Sequence, residues 1–340
     1  MTNKEKIERC ASSNSLYHFF ENEKFWADCP VDVLQTIWRD RESENSLCFT
    51  QKIKPHEQLK VLRNAFGLLD KDNFSEKFKE ATGGRGNEGR KIMTLHSSSL
   101  LSLLCFYNVT DKHPLILSLP LSDGHEKKKS FTESLFEVQN DVTYAYRKYD
   151  PKFKSNPSNM DVVLKGDNCT LFLESKFSEY LKNGLVDGIN EGYRPIYEEL
   201  NDFLCKNNLR TEEDQEKGTF KLRADSGNTK NYLQGIKQMI SHFMGVCTYT
   251  KDPKHLREEI YLGSILYKFE SDVGKKNHFD NYSKLYSSLI TFLNRLLDNS
   301  DIKNVTLLAK PLTYQDVFGE EHNLNFLDDK VSTYYKLSGK

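Results

Sequence analysis

Paired cysteines, of the kind that build disulfide frameworks or zinc sites, are missing from this sequence. The seven cysteines are odd in number and never form a CxxC or CxxH motif, which disfavours both kinds of site and predicts a reducing, cytoplasmic location. An apolar signal region is also missing after Met1. The longest apolar run, residues 100–109, is about half the length of a membrane span. We therefore predict no secretory signal and no membrane partner.

A strong net charge is lacking as well. The chain has 48 Lys and Arg against 49 Asp and Glu, a formal net charge of −1. This excludes a global basic field, so contact with nucleic acid would require a local basic patch. Two patches are candidates, and solubilising a surface is an equally good interpretation of any single lysine in them. They are Lys127-Lys128-Lys129 and the tyrosine-rich segment with Tyr144, Tyr146, Arg147, Lys148, Tyr149, Lys152 and Lys154.

Two common catalytic motifs are absent. The glycine-rich segment 82–90 has a Gly-x-x-x-x-Gly spacing, but Arg90-Lys91-Ile92 replaces the Lys-Ser/Thr pair of a nucleotide-binding P-loop. No Gly-x-Ser-x-Gly occurs, so a hydrolase with a nucleophile elbow is disfavoured. His242 has no metal-ligand spacing to other histidines, and we interpret it as a packed or surface residue.

The hydrophobic periodicity predicts an α/β protein. The 340 residues, with 37% hydrophobic residues, 21 Phe and 17 Tyr, are enough for one large or two modest domains. Helical spacing covers residues 1–80, a buried helix or strand follows at 100–107, and a strand at 115–119 precedes a loop at 121–130. Later elements alternate between helix and strand. They are a helix at 131–147, strands at 160–164 and 169–173, a helix at 231–246, a strand at 259–269, a helix at 282–297 and a strand at 305–310.

This order divides the chain into two regions. Residues 1–125 form a mostly helical N-terminal region packed on the core, and residues 126–340 form the core itself. A charged, irregular insertion with helical parts interrupts the core at 178–230. The strands at 160–164 and 169–173 are apolar on both faces, which is typical of a central sheet covered by helices.

The most informative segment is the β-hairpin made by these two strands. Lys165-Gly166-Asp167-Asn168 has the composition of a tight turn. Pairing across the turn brings Asp161 to the same end of the hairpin as Glu174-Ser175-Lys176. Charged residues at the end of an apolar sheet are costly without a partner ion. The alternative is that Glu174 and Lys176 lie beyond the strand and are solvated.

This set of residues suits phosphodiester hydrolysis with a bound cation. Magnesium prefers oxygen ligands and is held by one or two carboxylates with water and phosphate. Asp161 and Glu174 would supply the carboxylates, and the backbone carbonyl of Ser175 a further ligand. Lys176 points to the same face of the strand as Glu174. Its ammonium would orient or deprotonate the attacking water, or contact the phosphate.

Asp161, a 12-residue gap and Glu174-x-Lys176 on an apolar strand resemble the PD-(D/E)XK nuclease superfamily. The resemblance covers about residues 131–310, although Met160 stands where the family has proline. It implies an αβββαβ core with a mixed central sheet flanked by helices, as in restriction endonucleases. It also implies Mg²⁺ as cofactor, with Mn²⁺ as a substitute, DNA as substrate, and a homodimer as one arrangement. Residues 83–90 with 95–99 resemble bacterial restriction endonucleases of this superfamily.

The resemblance implies two further sets of residues. A third acid on the helix before the hairpin would be Glu137 or, alternatively, Glu133. A polar residue on the helix after the motif would be Gln234, with Lys237 and Gln238 as alternatives. A nuclease-fold protein that binds DNA or a protein partner without cutting is the second hypothesis, and an unrelated α/β interaction protein is the third.

Overall fold

A computed structural model of the protein describes most of the chain after residue 70. The described residues are 71–83, 97–140, 157–177, 186–214, 216–224, 232–268 and 278–335, with isolated positions at 59, 60, 62, 63, 66–69, 92 and 337. The glycine-rich segment and the basic, tyrosine-rich segment at 144–154 therefore fall largely or wholly outside them.

The centre of the molecule is a mixed six-stranded sheet. Its strands are β3 (Glu133–Asn140), β4 (Ser158–Gly166), β5 (Cys169–Lys176), β9 (Glu259–Leu266), β10 (Val305–Leu307) and β11 (Leu312–Thr313). The spatial order is β10-β9-β5-β4-β3, and β11 pairs with β9 beyond β10. Strands β3, β4 and β5 form an antiparallel meander, whereas β9 runs parallel to β5 and also to β10 and β11.

Helices cover both faces of this sheet. They are α1 (Asp72–Thr82), α2 (Ser98–Phe106), α3 (Arg194–Glu199), α4 (Asn201–Lys206), α5 (Leu233–Tyr249), α6 (His278–Asp298), α7 (Tyr314–Gly319) and α8 (Asp329–Tyr335). One buried apolar cluster joins α2, α7 and α8 to one face, and a second joins α5 and α6 to the other. The protein is thus α/β, with a mixed central sheet between helical layers.

Alternation along β5 decides which residues face each layer. Leu171 and Leu173 belong to the cluster with α2, and Phe172 belongs to the cluster with α5. Every residue of β5 is buried. The prediction of a central strand apolar on both faces is therefore confirmed, and its polar end is buried with it.

Most of the predicted core elements are confirmed. The apolar run at 100–107 forms α2, which begins after Ser97, whose hydroxyl accepts a hydrogen bond from the Leu100 amide at 3.2 Å. The predicted elements at 115–119, 231–246, 259–269, 282–297 and 305–310 also have the expected type. They correspond to the strand β1 (Leu115–Pro120), α5, β9, α6 and β10.

The loop predicted at residues 121–130 is wrong over most of its length. Strand β2 (Glu126–Phe131) pairs antiparallel with β1 through all six of its residues. The turn between them is closed by the Leu121 amide bonding His125 O at 2.9 Å, and Gly124 adopts a φ of 85° that a non-glycine residue rarely takes. The lysine-rich composition suggested a loop, but lysine side chains can also remain exposed on a strand of this kind.

The helix predicted at residues 131–147 is also wrong. Residues Glu133–Asn140 form β3, which pairs antiparallel with β4 from Glu133↔Lys165 to Asn140↔Ser158. Apolar residues at 131, 135 and 138 have helical spacing, but the hydrogen bonds of the strand pairing override this local preference. Of the predicted helix, residues 141–147 lie outside the described residues.

The insertion at residues 178–230 is more regular than predicted. It contains a three-stranded antiparallel sheet with the order β6 (Val186–Asn190), β8 (Thr219–Ala224) and β7 (Leu209–Asp214). The predicted helical part, Tyr193–Leu204, is present as α3 and α4. Apolar residues of this sheet, including Phe220 and Leu222, join the buried cluster beneath α5.

The predicted N-terminal helices are only partly within the described residues. Helix α1 buries Phe74 and Phe78, and Leu62 and Phe66 are buried in the same cluster, whereas Leu69 is 57% exposed. Across the described ranges, none of the helices combines the length and apolar character that crossing a bilayer requires.

Candidate active site

The central sheet forks where the predicted site lies. Strands β4 and β5 are paired from Gly166↔Cys169 to Val162↔Leu173, and there their pairing ends. Beyond this point β4 stays with β3, and β5 stays paired with β9 as far as Lys176↔Leu266. The sheet therefore opens into two arms at the charged end of the hairpin.

Asp161 lies at the point of divergence. Continuing the register beyond Val162↔Leu173 places Asp161 opposite Glu174. The carboxylate of Asp161 accepts a hydrogen bond from the Ser175 amide at 2.8 Å. This side chain supplies an acceptor for an amide of β5 at the point where the β4–β5 pairing has ended. The prediction that the hairpin brings Asp161 to the Glu174–Lys176 end is confirmed.

The surroundings of Asp161 disfavour its ionised form. Burial raises the pKa of Asp161 well above its ordinary value, and the neighbouring charges of Glu174 and Glu137 raise it further. The charge of Lys176 and the hydrogen bond from Ser175 act in the opposite direction without reversing the shift. Burial, reinforced by two neighbouring carboxylates, therefore favours the protonated form of Asp161.

Glu174 is fully buried and has two cationic or potentially cationic neighbours. One carboxylate oxygen contacts the Lys176 ammonium, and the other lies 2.5 Å from Nε2 of His242. Burial by itself would raise the pKa of Glu174, but the charges and hydrogen bonds of Lys176 and His242 outweigh it, so the pKa is lowered. The two carboxyls are therefore perturbed in opposite directions. The alternative of a solvated Glu174 and Lys176 is wrong, because both are buried in β5.

His242 connects the two arms of the fork. It lies on α5, which packs over the fork, and its Nδ1 contacts the hydroxyl of Ser158 on β4 while Nε2 contacts Glu174 on β5. The sequence analysis interpreted His242 as a packed or surface residue. His242 is indeed buried, but its contacts with Ser158 and Glu174 were not predicted. The sequence did contain a pattern that could have indicated a functional face on this helix. Gln234, Gln238 and His242 recur every four residues and therefore lie on one side of it.

Glu137 lies next to Asp161, although on a different element from the one predicted. Its neighbours Phe136 and Val138 pair with Val162 and Met160, so Glu137 occupies the position opposite Asp161. Its φ of 50° is a left-handed conformation that costs free energy for a non-glycine residue. Glu137, Asp161 and Glu174 therefore form a row across three strands, which we call the acid row.

Glu133 does not reach the acid row. It pairs with Lys165 near the turn of the hairpin and is exposed. Four residues of strand, about 13 Å, separate it from Glu137. The helix predicted to carry one of these two acids is absent, because both residues lie on β3.

Ser175 points its side chain away from the acid row. Its hydroxyl lies 2.7 Å from the Tyr314 hydroxyl and 3.5 Å from Ser98 O, on the sheet face covered by α2 and α7. Any contribution of Ser175 to a metal site would therefore come from its backbone carbonyl, as the sequence predicts.

The predicted polar residues of the following helix border a cavity beside the site. Lys237, Gln238 and His242 line a space of about 230 Å³, and the exposed Gln234 lies at its rim. Burial lowers the pKa of Lys237, Glu174 raises it in part, and Lys176 lowers it further. The helix after the motif thus contributes to the site region through several residues rather than through Gln234 alone.

The lysine run on β2 does not lie at the acid row. Lys127 and Lys129 form ion pairs with Glu259, at 2.7 and 3.0 Å. Glu259 pairs with Cys169, which is five residues before Glu174 on β5. This places the lysines roughly 16 Å along the sheet from the site. Their predicted role in contacting phosphates beside the catalytic residues is therefore not supported by their position.

The donor set suits a hard divalent cation, although the described side chains are not arranged as a three-ligand cluster. Carboxylate oxygens are the ligands that Mg²⁺ prefers, and one or two of them are enough when water and phosphate complete the shell. Within the ranges described, no group of three or more His, Cys, Asp or Glu side chains is placed to bind one ion.

Comparison of the chain with protein-family models, curated proteins and solved structures found no match.

Proposed function

We propose that this protein is a metal-dependent nuclease that hydrolyses phosphodiester bonds in DNA, with a restriction-type endonuclease as the specific form. The observation that carries the proposal is the acid row at the fork of the sheet, with Lys176 buried beside Glu174. Burying charged groups together at the end of a sheet costs free energy, and titratable groups perturbed in this way are common at binding and catalytic sites.

The order of the core elements supports the same proposal. An antiparallel meander, β3-β4-β5, is followed by α5 and then by β9, which runs parallel to β5. Apart from the insertion between β5 and α5, this order is consistent with the βββαβ part of the arrangement that the PD-(D/E)XK resemblance implies. Helix α2, which packs on β4 and β5, would take the place of the leading helix, with the β1–β2 hairpin between it and the meander.

The residues divide into ligands and positioning groups. Asp161, Glu174 and the carbonyl of Ser175 would hold Mg²⁺ or Mn²⁺. The ion, when bound, neutralises charge on the phosphate and lowers the pKa of a coordinated water. Lys176 would orient the attacking water or contact the phosphate. His242 would fix the Glu174 carboxylate, since it spans both arms of the fork. Glu137 would add negative charge beside Asp161.

The test is cleavage of supercoiled and linear DNA by the full chain, with Mg²⁺ or Mn²⁺ against excess EDTA. Asp161→Asn and Lys176→Met should each lower the rate at least 100-fold, consistent with the usual contribution of a single catalytic group. Glu76→Gln, an exposed carboxylate on α1, is the control. Cleavage of closed circular DNA identifies endonuclease action. Full activity in the Asp161→Asn protein would refute the mechanism.

A second function is favoured by one observation, which is that Lys176 and His242 already occupy both oxygens of Glu174. A protein using the fold only to bind DNA or a protein partner would keep this closed arrangement. Calorimetry with Mn²⁺ separates the two functions. Saturable binding that is lost in Asp161→Asn supports the nuclease, whereas DNA binding without metal binding supports the second function.

A further inference from the structure

A serine, a histidine and a glutamate form a continuous hydrogen-bonded chain across the fork of the sheet. Ser158 begins β4, His242 lies on α5 and Glu174 lies on β5. The Ser158 hydroxyl contacts Nδ1 of His242, and Nε2 of His242 lies 2.5 Å from the Glu174 carboxylate. A nucleophile, a base and a group that orients the base are thus linked in the order that acyl transfer requires.

The hydrogen bonds assign the proton of the His242 ring to one nitrogen. A carboxylate only accepts hydrogen bonds, so Nε2 donates its N–H to Glu174. In the neutral ring Nδ1 then carries no hydrogen, and it accepts the hydrogen bond that the Ser158 hydroxyl donates. This is the tautomer in which a histidine can remove the proton of a serine.

Two of the three residues border a cavity, so a ligand can reach them. Ser158 and His242 both line the space of about 230 Å³ beside α5. Each keeps a small exposed fraction, 4% and 3%, whereas Glu174 has none and does not line the cavity. A molecule in the cavity would therefore meet the nucleophile and the base, with the orienting carboxylate shielded from water.

The rest of the lining supplies a cation and an apolar wall. Lys237 borders the cavity, and it makes no hydrogen bond or ion pair within the part of the chain that the structure describes. An ammonium placed in this way can stabilise the negative oxygen that develops on a carbonyl during attack. Ile189 and Tyr193 of the insertion form an apolar wall. The volume is below the roughly 300–1,000 Å³ of pockets for drug-sized molecules, which favours a short acyl group.

We propose that this protein also hydrolyses short-chain esters at this cavity, with Ser158 as nucleophile, His242 as general base and Glu174 orienting the ring. The activity needs no metal ion and goes beyond the proposed nuclease function. The sequence has no Gly-x-Ser-x-Gly, but triads of this kind occur on unrelated folds and are recognised by their geometry.

The reaction balances with water as the only co-reactant. Oγ of Ser158 attacks the ester carbonyl carbon while its proton moves to Nδ1 of His242. The bond between the carbonyl carbon and the alkoxy oxygen then breaks, and the leaving alcohol takes the proton from Nδ1. Water attacks the acyl group on Ser158 and gives a proton to Nδ1. That proton returns to Oγ as the carboxylic acid leaves.

Covalent labelling of the wild-type chain tests the nucleophile directly. The full chain in EDTA is treated with methanesulfonyl fluoride, whose sulfonyl group is small and is transferred to an activated serine as fluoride leaves. We expect one sulfonyl group per chain, located on Ser158 by peptide mass spectrometry. Absence of label, or label on another residue, overturns the inference, and neither result depends on the folding of a variant.

Hydrolysis of p-nitrophenyl acetate in EDTA measures turnover. Ser158→Ala and His242→Ala should each lower kcat/KM at least about 100-fold, consistent with the usual contribution of such groups. Ser241→Ala is the matched control, because Ser241 lines the same cavity and lies outside the hydrogen-bonded chain; its rate and its labelling should equal those of the wild type. A wild-type rate in Ser158→Ala, or an equal loss in Ser158→Ala and Ser241→Ala, overturns the inference.

The two proposals fail separately, because one activity requires a metal ion and the other is measured in EDTA. Labelling and ester hydrolysis without any DNA cleavage in Mg²⁺ or Mn²⁺ would support the triad and remove the nuclease function. DNA cleavage by a chain that is neither labelled at Ser158 nor active on the ester would remove the triad and leave the nuclease function.

Discussion

Asp161→Asn should stabilise the folded protein at the pH where it abolishes activity. Because the pKa of Asp161 is raised in the folded state, the folded chain keeps this proton at pH values where the unfolded chain has lost it. The stability associated with the group is therefore fully present below about pH 3.9, the ordinary aspartate pKa, and is lost as the pH rises through the folded pKa. At alkaline pH the surroundings that disfavour the ionised form of this carboxyl therefore oppose folding.

The size of the effect follows from this linkage. Each pKa unit by which a folded carboxyl exceeds its unfolded value costs about 1.4 kcal/mol at neutral pH. The asparagine keeps an oxygen that can accept the hydrogen bond from the Ser175 amide, and it removes one charge from the acid row. We expect the free energy of unfolding at pH 8 to rise by about 1–3 kcal/mol, the range of most single substitutions. Near pH 3.5 the difference should disappear.

Glu174→Gln provides the comparison with the opposite sign. The pKa of Glu174 is lowered, so its contribution to stability is present above about pH 4.3, the ordinary glutamate value, and is lost as the pH falls through the folded pKa. Removing its charge leaves the buried Lys176 without this carboxylate partner. The expected cost at neutral pH is about 3–5 kcal/mol, as for other broken buried ion pairs.

Urea unfolding in EDTA at pH 8 and pH 3.5 measures both effects. Asp167→Asn, an exposed aspartate in the turn of the same hairpin, is the matched control and should stay within about 0.5 kcal/mol of the wild type at both pH values. The urea dependence should be unchanged in all three variants. If Asp161→Asn is destabilised at pH 8, or if its effect does not depend on pH, the description of Asp161 as a carboxyl whose ionisation the folded protein disfavours is wrong.

Three further predictions concern the acid row, its cofactor and the hairpin. Glu137→Gln should lower Mg²⁺-dependent DNA cleavage at least tenfold and Glu133→Gln should not, because only Glu137 lies opposite Asp161; equal rates in the two variants would contradict this. At a Mn²⁺ concentration of 100 times Kd, the wild type should gain about 2.7 kcal/mol in urea unfolding and Asp161→Asn should gain much less; equal gains would place the metal elsewhere. Gly166→Ala should cost about 1–3 kcal/mol, since its Cβ would lie 2.2 Å from Ser130 O of β2; an unchanged unfolding free energy would show that β2 moves freely.

The core strands and helices could be predicted because their patterns are local. The hairpin has two apolar runs around a turn, and α5 and α6 have long apolar stripes at helical spacing. By contrast, β3 and the strands of the insertion carry mixed sequences whose pairing partners are distant along the chain. Glu133 to Asn140 has apolar residues at spacings that fit either a helix or a strand, and only its hydrogen bonds to β4 decide between them.

The candidate site divides in the same way. Asp161, Glu174 and Lys176 could be recognised because they flank one turn, so hairpin pairing alone brings them together. Glu137 was selected for a helical position that it does not occupy, and it lies beside Asp161 because β3 pairs with β4. His242, Ser158 and the cavity residues come from segments up to 84 positions apart, and their contacts depend on how α5 packs over the fork.

The sequence by itself determined that the protein is α/β and that one hairpin brings an aspartate, a glutamate and a lysine to the same end of an apolar sheet. Those features follow from residue patterns within a single segment. The tertiary structure decided that the sheet forks at this end, that Glu137 completes an acid row, and that His242 joins both arms beside a cavity. These features required packing between distant segments, because burial and neighbouring charges, rather than local spacing, set the opposite pKa shifts of Asp161 and Glu174.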